Sequence, residues 1–256
     1  MFSTKTIELK SSEEIAAMRR AGAVLSQALS AVAAAVRPGV TTQALDELAV
    51  LELSRRRAKP AFLGYHGFPA SLCVSLNNEI IHGIPSRRRV IREGDLVSLD
   101  LGCLYDGFYS DLAVTVAAGP VSPEAQKLID VTRSALAAGI AAMRPQGRLG
   151  DISHAIQRHA EAAGFSVVRE FVGHGIGRSL HEDPAVPNYG KAGTGVRLTA
   201  GMVLAIEPMV NAGGWEARIL EDGWTSVTKD GGLSAHFEHT VAMTDRGPEI
   251  LTSHGQ

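Results

Sequence analysis

Polar and apolar positions along this chain follow two patterns in turn, and the sequence of patterns occurs twice. Alanine-rich, largely apolar stretches at about 12–36 and about 123–143 predict two long helices. Both end at an arginine–proline pair, Arg37-Pro38 and Arg144-Pro145, since proline lacks the amide proton that a continuing helix needs. A further helix is predicted after each, from Thr42 to Arg57 and from Asp151 to Ala163. Alternation then takes over. Val97-Ser-Leu-Asp-Leu-Gly102 reads as a strand and Phe108-Tyr-Ser-Asp-Leu-Ala-Val-Thr-Val116 as another, with Asp106-Gly107 between them as a two-residue hairpin turn.

That turn sets a register. Tyr105 pairs with Phe108 and Gly102 with Asp111, so Asp100, two residues from Gly102, shares a face with Asp111. The two carboxylates become diagonal neighbours, with roughly 7–8 Å between their backbones. Two divalent ions about 3.5–4 Å apart fit between such side chains, with one acid bridging. Two solvated acids on the wet face of a hairpin would share the pattern, and a bulge would alter the register.

The two halves also align with each other. Glu93-Gly94-Asp-Leu-Val-Ser-Leu-Asp100 matches Ala200-Gly201-Met-Val-Leu-Ala-Ile-Glu207 at an offset of 107 residues, which is also the offset from Pro38 to Pro145. Helix, helix, strand in each half implies an α+β fold, a single domain whose halves (about 12–116 and 123–243) are related by a pseudo-two-fold axis. Such an axis places Asp100 and Glu207 on either side of a central cleft. Beyond Glu207 the offset fails, because Glu238 lies 127 residues after Asp111. The extra segment, 211–233, is rich in glycine and predicts loops or hairpins around the cleft.

Composition narrows the setting. With 256 residues the chain can bury a large core in one domain or two fused halves. A net charge of −2 and a pI near 6.5 leave no basic field for nucleic acid or a membrane surface. The runs Arg55-Arg-Arg57 and Arg87-Arg-Arg89 are short enough to be solvated faces, with ribosome contact as the alternative. Two cysteines, Cys73 and Cys103, are too few for a disulfide framework and fit a reducing compartment. The start Met-Phe-Ser-Thr-Lys-Thr lacks a signal peptide's apolar stretch, and no apolar run approaches about 20 residues. A soluble cytoplasmic protein is expected.

Five residues carry the candidate chemistry: Asp100, Asp111, His174, Glu207 and Glu238. Glu207 follows Val-Leu-Ala-Ile, where a carboxylate is costly to bury unless a proton or cation compensates it. If the five converge, a charge of roughly +4 is needed nearby, which two divalent metal ions supply.

Three longer motifs, Gly173-His174-Gly-Ile-Gly-Arg-Ser-Leu-His181-Glu-Asp-Pro184, Gly201-Met-Val-Leu-Ala-Ile-Glu-Pro208 and Phe237-Glu238-His-Thr-Val-Ala-Met243, together resemble methionine aminopeptidase. Tyr65-His-Gly-Phe-Pro69, Asn78-Glu-Ile-Ile-His82-Gly-Ile-Pro85 and Asp106-Gly-Phe-Tyr-Ser-Asp111 extend the match, which runs from about residue 8 to the end. The form resembled is the short bacterial one, type I, without an added amino-terminal domain. The resemblance implies the pita-bread fold around a dinuclear metal site, and removal of the initiator methionine from nascent chains whose second residue is small. It also implies a monomer.

By position, Asp111, His174, Glu207 and Glu238 match the ligands of one metal, and Asp100 with bridging Asp111 and Glu238 those of the other. Mostly oxygen donors suit cobalt, manganese or iron. His181 matches the donor to the scissile carbonyl, His82 a contact to the substrate amide, and Glu207 the group that passes a proton to the departing amine. The methionine pocket maps onto Phe62, Tyr65, Phe68, Cys73, His82, Leu180 and Trp224. Phe62, Phe68 and Leu180 depart from the residues common at those places, which keeps the wall apolar and changes its shape. His66 fits a turn as well as the family position and is left out; His154, His159, His236, His239 and His254 receive no role. A proline-specific aminopeptidase or dipeptidase of the same fold would share the five ligands and is the alternative reading.

Overall fold

The structure, a computed structural model, describes residues 7–253, so the first six residues and the last three, His254 among them, lie outside it. Among the described residues four α-helices form: α1 (Ser12–Ala34), α2 (Thr42–Arg55), α3 (Pro123–Ala142) and α4 (Leu149–Ala162). Local chemistry starts each one. Ser11 and Glu14 make a capping box for α1, Thr41 caps α2, and Ser122 caps α3 ahead of Pro123. Helix α4 begins two residues before the expected Asp151, whose carboxylate instead accepts the Arg148 N–H at 2.8 Å from the third helical position. Gly150 permits the earlier start, because a Cβ there would meet the Lys191 carbonyl oxygen at 2.4 Å.

The internal repeat is visible at every level of this framework. Helices α2 and α4 begin and end 107 residues apart, as do the starts of the strands Leu96–Tyr105 and Val203–Ile206. The isolated bridge Thr41–Val90 recurs as Arg148–Arg197 at the same spacing. So do two left-handed backbone pairs, Gly39 with Gln146 and Gly94 with Gly201. Each half has its own apolar core. One gathers Leu25, Leu45, Val74, Leu99 and their neighbours beneath α1 and α2; the other gathers Leu128, Ile152, Leu204 and Met243 beneath α3 and α4.

In the first half Leu96–Tyr105 is the central strand, antiparallel to Leu72–Leu76, to Phe108–Ala117 and to the short Lys59–Pro60. Asp106 and Gly107 both take positive φ (50° and 81°), the geometry of a type I′ turn, and the register is the expected one: Tyr105 opposite Phe108, Gly102 opposite Asp111. No bulge interrupts this ladder among the described residues. In the second half Val203–Ile206 is central, flanked by Gly173–Gly175 and His239–Thr244, with Glu182–Val186 and Gly247–Ile250 at the edges. The 211–233 segment folds as a hairpin, Ala217–Ile219 against Ser226–Thr228, and lays its second strand on Glu79–Ile81. That contact carries Trp224 beside His82.

Acids lie beside both arginine runs: Arg55 and Arg56 reach Glu52, Arg87 lies 3.6 Å from Glu47, and Arg89 pairs with Glu79, while Arg57 and Arg88 are exposed. Among the described residues no helix is long and apolar enough to cross a membrane.

Candidate active site

Five strands from the two halves deliver four acids and a histidine to one place. Asp100 and Asp111 project from the hairpin, diagonal to each other as the Gly102–Asp111 pairing requires. In the opposing sheet His174 pairs with Ala205 and His239 with Ile206, so Glu238 falls directly opposite Glu207 just past the ends of the ladder. His174, Ala205, Glu207, Glu238 and Thr240 therefore share one sheet face. Alanine at 205 leaves the space over which the larger side chains meet.

All five candidate ligands line a single cavity of about 230 Å³. Its wall also contains Phe62, Tyr65, Phe68, Cys73, His82, Leu180, His181 and Trp224, each of the pocket residues expected from the resemblance, together with His66. Donor atoms of Asp111, His174 and Glu238 lie within 4.8 Å of one another, as do those of Glu207, His236 and Glu238. His174 Nε2 is 3.6 Å from Glu207 Oε1.

The electrostatics are those of acids crowded together out of water. Among the described residues no lysine or arginine lines the cavity, and Asp100 Oδ1 and Glu238 Oε1 are buried without a hydrogen-bond partner. Burial raises the Asp100 pKa to about 7, while a hydrogen bond shared with Asp111 opposes the rise. Burial, then the charge of Asp100, then that of Glu207 hold Asp111 well above the usual carboxylate range. Glu207 is raised by burial and by Asp100, and Glu238 by burial and by Asp111, Glu207 and Asp100 in turn. Such a cluster keeps its protons or exchanges them for cations.

The histidine is prepared in the complementary sense. Its Nδ1–H donates to the Gly175 carbonyl at 2.8 Å, which leaves Nε2 bare and aimed at Glu207, the tautomer a metal requires. Burial, helped by neighbouring His181, lowers its pKa to about 3, so no proton competes for that nitrogen. The donor set of four carboxylates and one neutral imidazole, with two orphaned oxygens, fits a pair of divalent cations.

The remaining groups divide into a polar gate and an apolar wall. His181 stacks on Tyr65 (5.2 Å, 20° between planes), and its Nδ1 is 2.8 Å from the Tyr65 hydroxyl. It also lies over His174, with ring centroids 4.0 Å apart. His82 sits in left-handed backbone (φ 59°) and meets Trp224 and Phe171 edge-on at 6.3 and 5.7 Å. A histidine in that conformation is strained by about 1 kcal/mol or more. Burial lowers its pKa to about 4, keeping it neutral. Phe68 packs against Trp224 at 5.2 Å. Burial pushes the Cys73 thiol well up, with Asp100 and Asp111 adding to the effect, so Cys73 is a wall residue and no nucleophile.

Three residues escaped the sequence reading. Thr240 bonds the Asp111 backbone twice, Asn188 donates to the Glu207 carbonyl at 3.0 Å, and His236 places its Nε2 3.9 Å from Glu207 Oε2. Two of them left a signal: His236 and Thr240 flank Glu238 at two residues on either side, the spacing of one strand face.

The chain matches the description of metallopeptidase family M24 over residues 16–245. It is 53% identical to a methionine aminopeptidase of Clostridium perfringens over 246 residues, covering 96% of this chain and 98% of the relative. A methionine aminopeptidase A of Synechocystis is 52% identical over 247 residues, 96% of this chain and 98% of that one. The crystal structure of the methionine aminopeptidase of Thermotoga maritima superposes with a TM-score of 0.95 at 47% identity, covering 97% of this chain and all of that one. Prolidase from Pyrococcus furiosus shares the fold at 22% identity, with a TM-score of 0.77 over 97% of this chain and 66% of its own.

Proposed function

From the premise that the chain belongs to metallopeptidase family M24, with the pita-bread fold, we propose that it is a methionine aminopeptidase, which removes methionine from the amino terminus of a polypeptide. The observation that carries this is the near-complete match, at about half identity, to relatives of that activity, joined to a cavity in which every expected ligand and pocket residue meets. Relatives specific for proline resemble the chain in fold alone.

Asp111, His174, Glu207 and Glu238 would hold one divalent cation, and Asp100 with Asp111 and Glu238 the other. When bound, the cations supply Lewis acidity and a water of lowered pKa. The protein does the rest. The apolar wall of Phe62, Phe68, Leu180 and Trp224 receives the thioether, which fits the soft, polarisable character of methionine. With Nδ1 bonded to Tyr65, His181 keeps Nε2 for the scissile carbonyl, where negative charge develops as the carbon becomes tetrahedral. Neutral His82 contacts the peptide amide. Glu207 carries to the departing amine the proton given up by the attacking water.

The oxygen-rich donor set favours cobalt, manganese or iron. The substrates are nascent amino termini with a small second residue, and the protein works as a cytoplasmic monomer. Release of free methionine from Met-Ala-Ser, compared with cleavage of Xaa-Pro peptides, tests the reading. Methionine release from the first and none from the second is expected; cleavage confined to bonds before proline would overturn it.

A further inference from the structure

His236 has no place in the ligand set above, yet it is the imidazole closest to Glu207 on the side away from His174. The Glu207 carboxylate lies between two rings, Oε1 3.6 Å from His174 Nε2 and Oε2 3.9 Å from His236 Nε2. The His236 ring is almost wholly buried and does not line the cavity, so it stands behind the carboxylate and not beside it. Its Nε2 is buried without a hydrogen-bond partner.

The backbone that carries this ring is held firmly. The His236 N–H donates to Thr115 Oγ1 at 2.8 Å, and the Thr115 hydroxyl donates back to the His236 carbonyl at 2.9 Å. Its strand partner is Met209, two residues beyond Glu207. With both backbones pinned, the gap between Nε2 and Oε2 closes by turning the carboxylate. A shift of roughly 1 Å brings it to hydrogen-bonding distance.

We propose that His236 is a positioning residue: its neutral ring donates Nε2–H to Glu207 Oε2 and fixes the carboxylate plane with Oε1 toward His174 and the cation site. Buried polar nitrogens seldom go unpaired, and Glu207 Oε2 is the acceptor that faces this one. Groups that orient a metal ligand in this way change cation affinity when removed, typically 10–100-fold. The proposal rests on Glu207 being a cation ligand, as in the function proposed above.

Two variants of the full chain separate donation from packing. His236→Leu fills the space without a donor; His236→Gln restores an N–H at similar reach. Calorimetric titration of the metal-free proteins with Co(II) is expected to show roughly 10–100-fold weaker binding in His236→Leu and parental binding within about fivefold in His236→Gln. The kcat for Met-Ala-Ser should follow the same order with little change in KM. Equal affinity in all three proteins, or equal loss in both variants, overturns the proposal. Should His236→Leu not fold, 15N spectra of histidine-labelled parent protein decide the matter: a proton on Nε2 of His236 supports the donor role and a bare Nε2 refutes it. A parent protein that neither binds Co(II) nor releases methionine would instead defeat the functional reading itself.

Discussion

Thr240 grips the backbone of Asp111 with two hydrogen bonds, accepting its N–H at 3.0 Å and donating to its carbonyl at 2.8 Å. The pair joins the hairpin of the first half to the sheet of the second. Replacing Thr240 by valine keeps the volume but leaves a buried N–H and carbonyl unpaired, at a cost of about 2–4 kcal/mol. Chemical denaturation of Thr240→Val should show that loss, together with weaker cation binding. An unchanged midpoint would mean that the halves are held together elsewhere.

Metal-free protein should respond to pH in a way that disappears when cations are added. Carboxyls with raised pKa favour the folded state below their unfolded value near 4, and that contribution disappears as pH climbs through the folded values, about 7 for Asp100 and likewise raised for its neighbours. The buried histidines work in the opposite sense. Burial lowers His82 and His239 to about 4 and His174 and His236 to about 3, so they favour folding increasingly as pH rises to about 6.5 and add nothing further above it. Stability should therefore be nearly flat from about pH 4.5 to 6.5 and decline at higher pH. Saturating Co(II) should abolish the decline, since the cations take the place of the protons. Melting curves across that range with chelator and with Co(II) make the comparison; a metal-free protein that gains stability above pH 7 contradicts it.

Tyr65 holds His181 through the 2.8 Å bond to Nδ1 as well as by stacking. Tyr65→Phe retains the stack and removes the bond, freeing the ring to change tautomer. A neutral hydrogen bond of about 1 kcal/mol corresponds to a five- to tenfold fall in kcat. Cation affinity should be untouched. If KM alone changes, His181 serves binding and takes no part in the chemical step.

The pocket wall depends on a glycine. A Cβ at Gly102 would lie 2.5 Å from Phe62 Cε1 and 3.0 Å from the Ala61 methyl, so Gly102→Ala must push the Phe62 ring toward the cavity. Overpacking of this kind costs about 1–3 kcal/mol. KM for methionyl peptides is expected to rise about tenfold with Co(II) binding unaltered. Methionine turnover at the parental KM would show that Phe62 can move away from the pocket instead.

What could be read directly from the chain was whatever short-range chemistry decides. The Asp106-Gly107 turn determines the hairpin register, and the register alone makes Asp100 and Asp111 neighbours, because side chains alternate strictly along a strand. The 107-residue repeat was likewise legible, since proline and left-handed glycine mark the same points in both halves. Helix α4 was misplaced by two residues because its start depends on a distant carbonyl, that of Lys191, packing against Gly150.

The tertiary structure decided what lies between the halves. Glu238 opposite Glu207, Thr240 on Asp111 and His236 behind Glu207 each join segments far apart in sequence, and no local propensity encodes such a meeting. Burial is decided there too. A carboxyl's charge and a histidine's tautomer follow from the atoms that close around it, so the same residues that are identifiable one by one acquire their shifted pKa values only when the two sheets come together.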